Sequence, residues 1–253
     1  MPHFWRVVQE TRNFCIVYFM NRVDRKSIIE WIGRDPIRFR HMLDFYDTGG
    51  KICQIDEKAL LLVKEEERLA YGAGTDIQAD PRWLYLIDDR DEVNRLLDAG
   101  ILTDDINPVW MVYYPSDTVI GRKEIPGIRF RELTLEDRDF VKDYYDAPAA
   151  NQPGVIEKCI CDGMIGAEDG HGLCGFIGKH REGAIGFLFV LPSHRRRGIA
   201  QELEQEMIRH QLKQKRFPYG HVLEHNERSL ALQKKIGMEI YPDLYYWAAG
   251  RDF

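Results

Sequence analysis

The spacing of apolar residues changes repeatedly along the chain, and each change marks an element. The segment from residue 128 onward divides most cleanly. I-R-F-R-E-L (128–133) alternates apolar and polar positions and predicts a strand. T-L-E-D (134–137) is a capping box, with Thr134 as cap and Asp137 in the acidic position, so a helix should open there, run to about Tyr145 and end before Pro148. V-I-E-K-C-I-C-D-G (155–163) has helical spacing and stops at Gly163. M-I-G-A-E-D-G (164–170) and G-L-C-G-F-I-G-K (172–179) predict a hairpin turning at D-G-H-G, and A-I-G-F-L-F-V-L (184–191) predicts a buried strand. In 198–212, Ile199, Leu203, Met207 and Ile208 share one face of an amphipathic helix. Y-G-H-V-L-E-H (219–225) predicts a strand, R-S-L-A-L-Q-K-K-I-G (228–237) a short helix ended by Gly237, and 239–249 closing strands. The resulting order is β-α-α-β-β-β-α-β-α-β.

The first part of the chain is patterned less sharply. Segments 27–32 and 38–46 have helical spacing, three strands are expected within 51–71, a helix over 91–99 and a strand over 108–114. K-E-E-E-R (64–68) is expected in a turn or at an exposed edge, and D-D-R-D-E (88–92) at the start of a helix, where acids meet the positive end of the dipole. The order, α-β-β-β-α-β, loosely echoes that of the second part, although no repeat exists at the level of sequence. The joint P-S-D-T-V-I-G-R-K-E-I-P-G (115–127) interrupts the periodicity. Two units are expected, 1–120 and 127–253, in an α/β fold.

Composition narrows the function classes. A chain of 253 residues with 44% hydrophobic and 30% charged residues supports a core without staples. Its net charge of −6 argues against a surface built for nucleic acid, so a basic cluster should serve a small anion. The five cysteines, Cys15, Cys53, Cys159, Cys161 and Cys174, are scattered and fit no zinc spacing, so no metal site is expected. Reduced thiols in a cytoplasmic protein are expected instead. The opening segment is charged within its apolar stretch and does not resemble a signal peptide, and no run is long enough to cross a membrane.

The candidate chemistry lies in F-V-L-P-S-H-R-R-R-G-I-A (189–200), where a buried strand runs through a short loop into a helix. The first N–H groups of that helix have no internal partner, and Gly198 lets the backbone approach an anion closely. With Arg195, Arg196 and Arg197 around it, this is an anion cradle. Neither a Walker pattern nor a dinucleotide fingerprint is present.

These residues resemble a known family. Arg195-x-x-Gly198-x-Ala200 fits the R/Q-x-x-G-x-G/A signature of the GNAT acyltransferase superfamily, placed as in that family after an apolar strand. N-E-R-S-L-A-L-Q-K-K-I-G-M (226–238) resembles the family's N-x-x-A-x-x-L-Y-x-K-x-G-F segment. The resemblance covers about 128–249, and P-S-H-R-R-R-G with F-P-Y-G-H-V is similar to the glycine N-acyltransferase branch, in which a diverged half precedes the coenzyme-binding half. It implies a GNAT fold with a splayed sheet. It further implies that Arg195 to Ala200, including Ile199, hold the pyrophosphate of acetyl-CoA or another acyl-CoA. The pantetheine would lie along Phe189, Val190 and Leu191, with Asn226 and Ser229 at the coenzyme's edge. A main-chain N–H near Val190 would polarise the thioester.

The implied activity is N-acyl transfer to a small amine or amino acid, with a base removing the amine proton. The sequence departs from the family at both proton-transfer positions, which are Ala184 and Gln233 here. Glu224 and Glu182 are the candidate bases, Glu224 preferred, and Tyr246 or Tyr245 the candidate acids. His225, next to Glu224, is a further candidate to assist the acceptor. Rival readings are an acyl-CoA-binding protein without transfer, a protein N-acetyltransferase and a nucleic-acid-binding module. A monomer or homodimer is expected, with neither nucleic acid nor membrane as partner.

Overall fold

In the computed structural model, which describes residues 24–145 and 153–253, the patterned segments become defined elements. The first half supplies α1 (Arg25–Ile32), α2 (Pro36–Asp47), β1 (Lys51–Ile55), β2 (Ala59–Lys64), β3 (Leu69–Gly74), β4 (Leu84–Ile87), α3 (Arg90–Asp98) and β5 (Leu102–Tyr113). The second supplies β6 (Arg129–Glu132), α4 (Arg138–Tyr144), α5 (Val155–Cys161), β7 (Ile165–Asp169), β8 (Gly172–Lys179), β9 (Ile185–Val190), α6 (Ile199–Lys213), β10 (Tyr219–Leu223), α7 (Glu227–Lys235) and β11 (Glu239–Gly250). Cys15, the opening segment and Pro148 lie outside the described residues.

Local chemistry accounts for most helix starts. The Asp24, Asp35 and Asp89 side chains accept from the first N–H groups of α1, α2 and α3, and Pro36 stands in the first turn of α2. The Thr134–Asp137 capping box forms, opening a 3-10 turn that feeds α4. The E-E-E run is the turn between β2 and β3, closed by Arg68 in the left-handed region. Three features differ from the sequence expectation. L-Y-L-I is a strand, β4, with no apolar–polar alternation to declare it. β5 begins at Leu102 rather than at Pro108. The closing segment is one strand, β11, whose register against β5 slips between Ile240 and Leu244, which places Pro242 in a bulge where no ladder N–H is needed.

Among the described residues the strands form one mixed sheet, ordered β1-β2-β3-β4-β11-β5-β10-β9-β8-β7-β6. The halves exchange strands at its centre. β11, the last strand of the chain, lies antiparallel between β4 and β5 of the first half. β5 in turn lies antiparallel to β10 of the second half, with Trp110 opposite Val222 and Met111 opposite His221. Helices cover both faces. α1 and α2 bury Ile28, Trp31, Phe39, Met42 and Phe45 against Leu60, Leu62, Tyr71 and Met111. α4 and α5 pack on Phe176 and Phe187. On the opposite face α6 buries Ile199, Leu203, Met207 and Ile208 against β7–β9, and α3 buries Val93 and Leu96 against Leu61 and Ile87.

The two parallel strand pairs are built differently. β3 and β4 stay in register from Leu69/Leu84 to Gly72/Ile87. Beyond that point the Asp88 carboxylate accepts the Gly74 N–H at 3.0 Å and pairs with Arg38 at 2.9 Å, closing the space between the strands. Burial pushes Asp88 up to about 6 despite Arg38. β9 and β10 meet at Gly220/Ile185 alone and then part. Because β11 has both neighbours in the first half, segments 1–120 and 127–253 produced separately should each lack a cooperative urea transition, and their co-expression should restore it. A cooperative transition in the isolated 127–253 segment would show that the exchange is dispensable.

Candidate functional site

The opening between β9 and β10 is shaped by a bulge in β9. Phe187 has φ +56°, a conformation a bulky residue adopts only under constraint. The β8–β9 register slips there, so Gly186 pairs with Gly178 and Phe189 with Phe176. Leu191 N–H donates to Cys174 O at 2.8 Å. Hydrogen-bonded and non-bonded pairs alternate in an antiparallel ladder, so Val190, opposite Gly175, turns its own N–H and C=O away from β8 toward the opening. The Val190 carbonyl is taken by Arg195 Nε at 3.0 Å. The Phe189 ring lies on the α4 face, stacked on Phe176 and Tyr144.

The loop beyond β9 is a concentration of free donors. A 3-10 turn, Pro192–His194, leads to Arg196 at φ +62° and Gly198 at φ +87°, and α6 starts at Ile199. Among the described residues no acceptor meets the main-chain N–H groups of Arg196 to Gln201, and the dipole of the fifteen-residue α6 adds positive potential there. His194 anchors the loop from below, with Nε2 2.9 Å from Asp169 Oδ2. Of the three arginines, Arg195 holds Val190 O and Arg197 donates to Pro126 O at 3.3 Å, which leaves the exposed Arg196 to solvent. This set of donors fits a phosphate group.

The remaining sequence candidates are dispersed. Asn226 caps α7, its side-chain oxygen accepting Ser229 N–H at 3.1 Å, so both residues have a structural task. Glu224 follows β10, its N–H donating to Pro108 O at 3.0 Å, and His225 Nε2 lies 3.6 Å from its carboxylate. Tyr246 is opposite Pro108 from the other side, so Glu224 and Tyr246 stand about 10 Å apart, two strand spacings. The Arg90 guanidinium lies 5.2 Å from the Tyr246 ring centre. Tyr245 is buried and donates to Arg38 O at 2.7 Å, which excludes it as a proton donor to a ligand. Glu182 does not extend β9. It lies in the turn before it, buried, its carboxylate pushed up by burial.

Glu204 and His221 escaped sequence reasoning because only packing makes them unusual. Gln233 is buried and donates to Glu204 Oε1 at 2.8 Å, linking α7 to α6. Burial pushes Glu204 up to about 7. His221 on β10 is buried beside His41, Tyr71, Tyr219 and Trp247, and neither ring nitrogen has a hydrogen-bond partner.

With this geometry in view, the relatives can be placed. A Drosophila protein of known structure superposes with a TM-score of 0.59 at 17% identity, over 76% of this chain and 74% of that one. A GCN5-related N-acetyltransferase from Kribbella flavida gives 0.53 at 12% identity, over 85% and 94%. A tandem GNAT protein of the clavulanic acid biosynthesis pathway, solved without acetyl-CoA, gives 0.50 at 12% identity, over 90% and 96%. The chain has the GNAT fold. Residues 163–248, from just before β7 to within β11, match the family model described as FR47-like protein. No curated protein matches the chain. The GNAT fold agrees with the splayed sheet expected from the two motifs, and the matched segment contains both the cradle and the strand opening.

The Glu204–Gln233 pair generates a stability prediction. A carboxyl raised from 4.5 to about 7 in the folded state contributes stability at low pH that is lost as pH rises through 7. Replacing it by Glu204→Gln should leave stability unchanged near pH 4 and raise it at pH 8 by up to about 3 kcal/mol. Urea unfolding at the two pH values measures the difference.

Proposed function

We propose that the protein is an acyl-CoA-dependent N-acyltransferase, with acetyl-CoA as the first donor to test and a small amine or amino acid as acceptor. One observation carries this reading. β9 and β10 part directly beside a run of unpartnered N–H groups at the start of α6. A pantetheine arm is an extended, amide-bearing chain, and a strand edge such as Val190 offers the N–H and C=O pattern it needs. A pyrophosphate is the anion that the N–H groups of Arg196 to Ala200 fit. The Val190 N–H, aimed into the opening, supplies the donor for a developing oxyanion.

In this reading 127–253 is the coenzyme-binding unit and 1–120 a diverged GNAT-like unit. Its own strand opening is filled by Asp88, and the segment after β3 has no helix and no cradle. The acceptor enters on the face of α2, α4 and α5, opposite α6. The cytoplasm is the compartment that suits its acyl-CoA chemistry, and no described helix is long and apolar enough to cross a membrane. A second reading, binding of acyl-CoA without transfer, draws on Ala184 and Gln233, neither of which can exchange a proton. Thiol release from acetyl-CoA in the presence of a panel of amino acids and primary amines separates the two.

Calorimetric titration with acetyl-CoA, free coenzyme A and a longer acyl-CoA tests the cradle. At Gly198 a Cβ has room, with Ile125 the nearest atom at 3.9 Å. The positive φ would cost a larger residue about 1–2 kcal/mol. Gly198→Glu should therefore remain folded while its carboxylate lowers affinity at least ~100-fold, a like charge about 4 Å from the pyrophosphate costing several kcal/mol even near the surface. Unchanged affinity would remove the cradle from the coenzyme site.

A further inference from the structure

Where β9 and β10 separate, the first residue of β10 past the contact is His221. Its ring points away from α6, into a buried group of polar side chains drawn from both halves. His41 comes from α2, Tyr71 from β3, Tyr219 from β10 itself and Glu182 from the turn before β9; Met111 and Trp247 flank it from β5 and β11. Charged and titratable neighbours are few. Glu182 Oε1 stands 4.0 Å from His221 Nδ1. Lys64 from β2 donates to Arg181 O at 3.0 Å, and His180 packs on Phe187 with the rings tilted, 4.8 Å between centres. Tyr219 donates to the Glu182 carbonyl at 2.9 Å, fixing the turn beneath the carboxylate.

The His221 side chain is 6% exposed, and both its nitrogens lack any donor or acceptor. Leaving a buried nitrogen unpaired destabilises the fold, and an imidazole with both unpaired needs a reason to be kept. Burial and the neighbouring histidines keep the ring neutral at pH 7. A neutral imidazole buried where two strands begin to part, with both nitrogens free and a carboxylate 4.0 Å from Nδ1, has the groups a general base and its orienting acid require.

We infer that His221 is the catalytic base of acyl transfer, with Glu182 the positioning residue behind it. This rests on the transferase reading above. As the amine nitrogen forms its bond to the thioester carbon, His221 takes the proton that nitrogen loses. As the carbon–sulfur bond breaks, its electron pair stays on sulfur, and the imidazolium gives the same proton to it. The products are the amide and the free thiol, and no second acid is required. Glu182 stabilises the imidazolium between the two transfers. One ring thereby performs both tasks whose family positions are Ala184 and Gln233 in this chain.

The test uses the full-length protein with acetyl-CoA, glycine and a panel of primary amines. Calorimetry gives acetyl-CoA affinity and a thiol reagent gives turnover. His221→Gln should bind acetyl-CoA within about twofold of the parent and lose ~10²–10⁴-fold in kcat/KM, the range of a positioned base. In the parent, kcat/KM should fall on the acid side as His221 protonates, with the limb below pH 6.5. Glu182→Gln should move that limb to still lower pH and reduce kcat. In His221→Ala, added imidazoles should restore turnover in proportion to their basicity, a dependence that mere filling of a cavity would not produce. Full turnover by His221→Gln, or rescue independent of basicity, overturns the assignment while leaving the transferase reading intact. Absence of thiol release by the parent with every amine overturns both. If His221→Gln fails to fold, the Glu182→Gln profile decides, an unmoved acid limb counting against the proposal.

Discussion

β11 has to find hydrogen-bond partners for both of its edges, and it finds them in the other half of the protein. Every buried N–H and C=O of a sheet needs a partner, and those of β11 are met by β4 and β5. β5 then covers the free edge of β10, so β10 is held from one side alone and its other edge is released from β9 after a single contact. The opening at Ile185/Gly220 lies directly beside the place where the halves are stitched together. The Phe187 bulge widens it by turning two successive residues of β9 toward the α4 face.

The same stitching creates the polar interior. Strand exchange brings β3 of the first half and β10 of the second under the same helix, α2, so His41, Tyr71, Tyr219 and His221 share one space. Desolvation dominates there. It holds His41 down at about 3 and raises Tyr71, Tyr219 and Glu182. Burial disfavours charge on each of these groups, and at Glu182 it is opposed by His180, Lys64 and Arg181. On the opposite side of the sheet Glu204 behaves similarly, while the Glu202–Arg209–Glu206–Arg122 network keeps its charges by pairing them. Buried charges in this protein are either paired or suppressed.

The two parallel strand pairs differ by a small change, since one is tied together beyond its register and the other parts. In the first half, one carboxylate, Asp88, reaches the Gly74 N–H and ties β3 to β4. In the second half Leu191 follows β9 and Glu224 follows β10, their N–H groups go to Cys174 O and Pro108 O instead, and among the described residues no hydrogen bond ties the two strand ends together. Gly74 could not be replaced even by alanine, since a Cβ there would stand 1.9 Å from Lys58 O in the turn before β2, so the residue that receives Asp88 is fixed by backbone contact.

Local patterns determined much of this protein. Side-chain caps at Asp35, Asp89 and Thr134, the face formed by Ile199, Leu203, Met207 and Ile208, and the strand–loop–helix around Gly198 all depend on residues within a few positions of one another, so they are legible in sequence. So is the cradle, because main-chain donors at a helix start follow from the chain's local path. β4 was not legible, because L-Y-L-I has no apolar–polar alternation, unlike the equally short β6. Neither was the insertion of β11 between β4 and β5, which depends on strand partners more than a hundred residues apart. The roles of Glu182, Glu204 and His221 belong to the same class. Each looks like an ordinary polar residue in its own segment, and burial supplied by the other half or by another helix gives it an unusual charge state. Sequence determined the elements and the anion cradle; the tertiary structure alone decided which polar groups lost their water, because desolvation is a property of everything packed around a side chain.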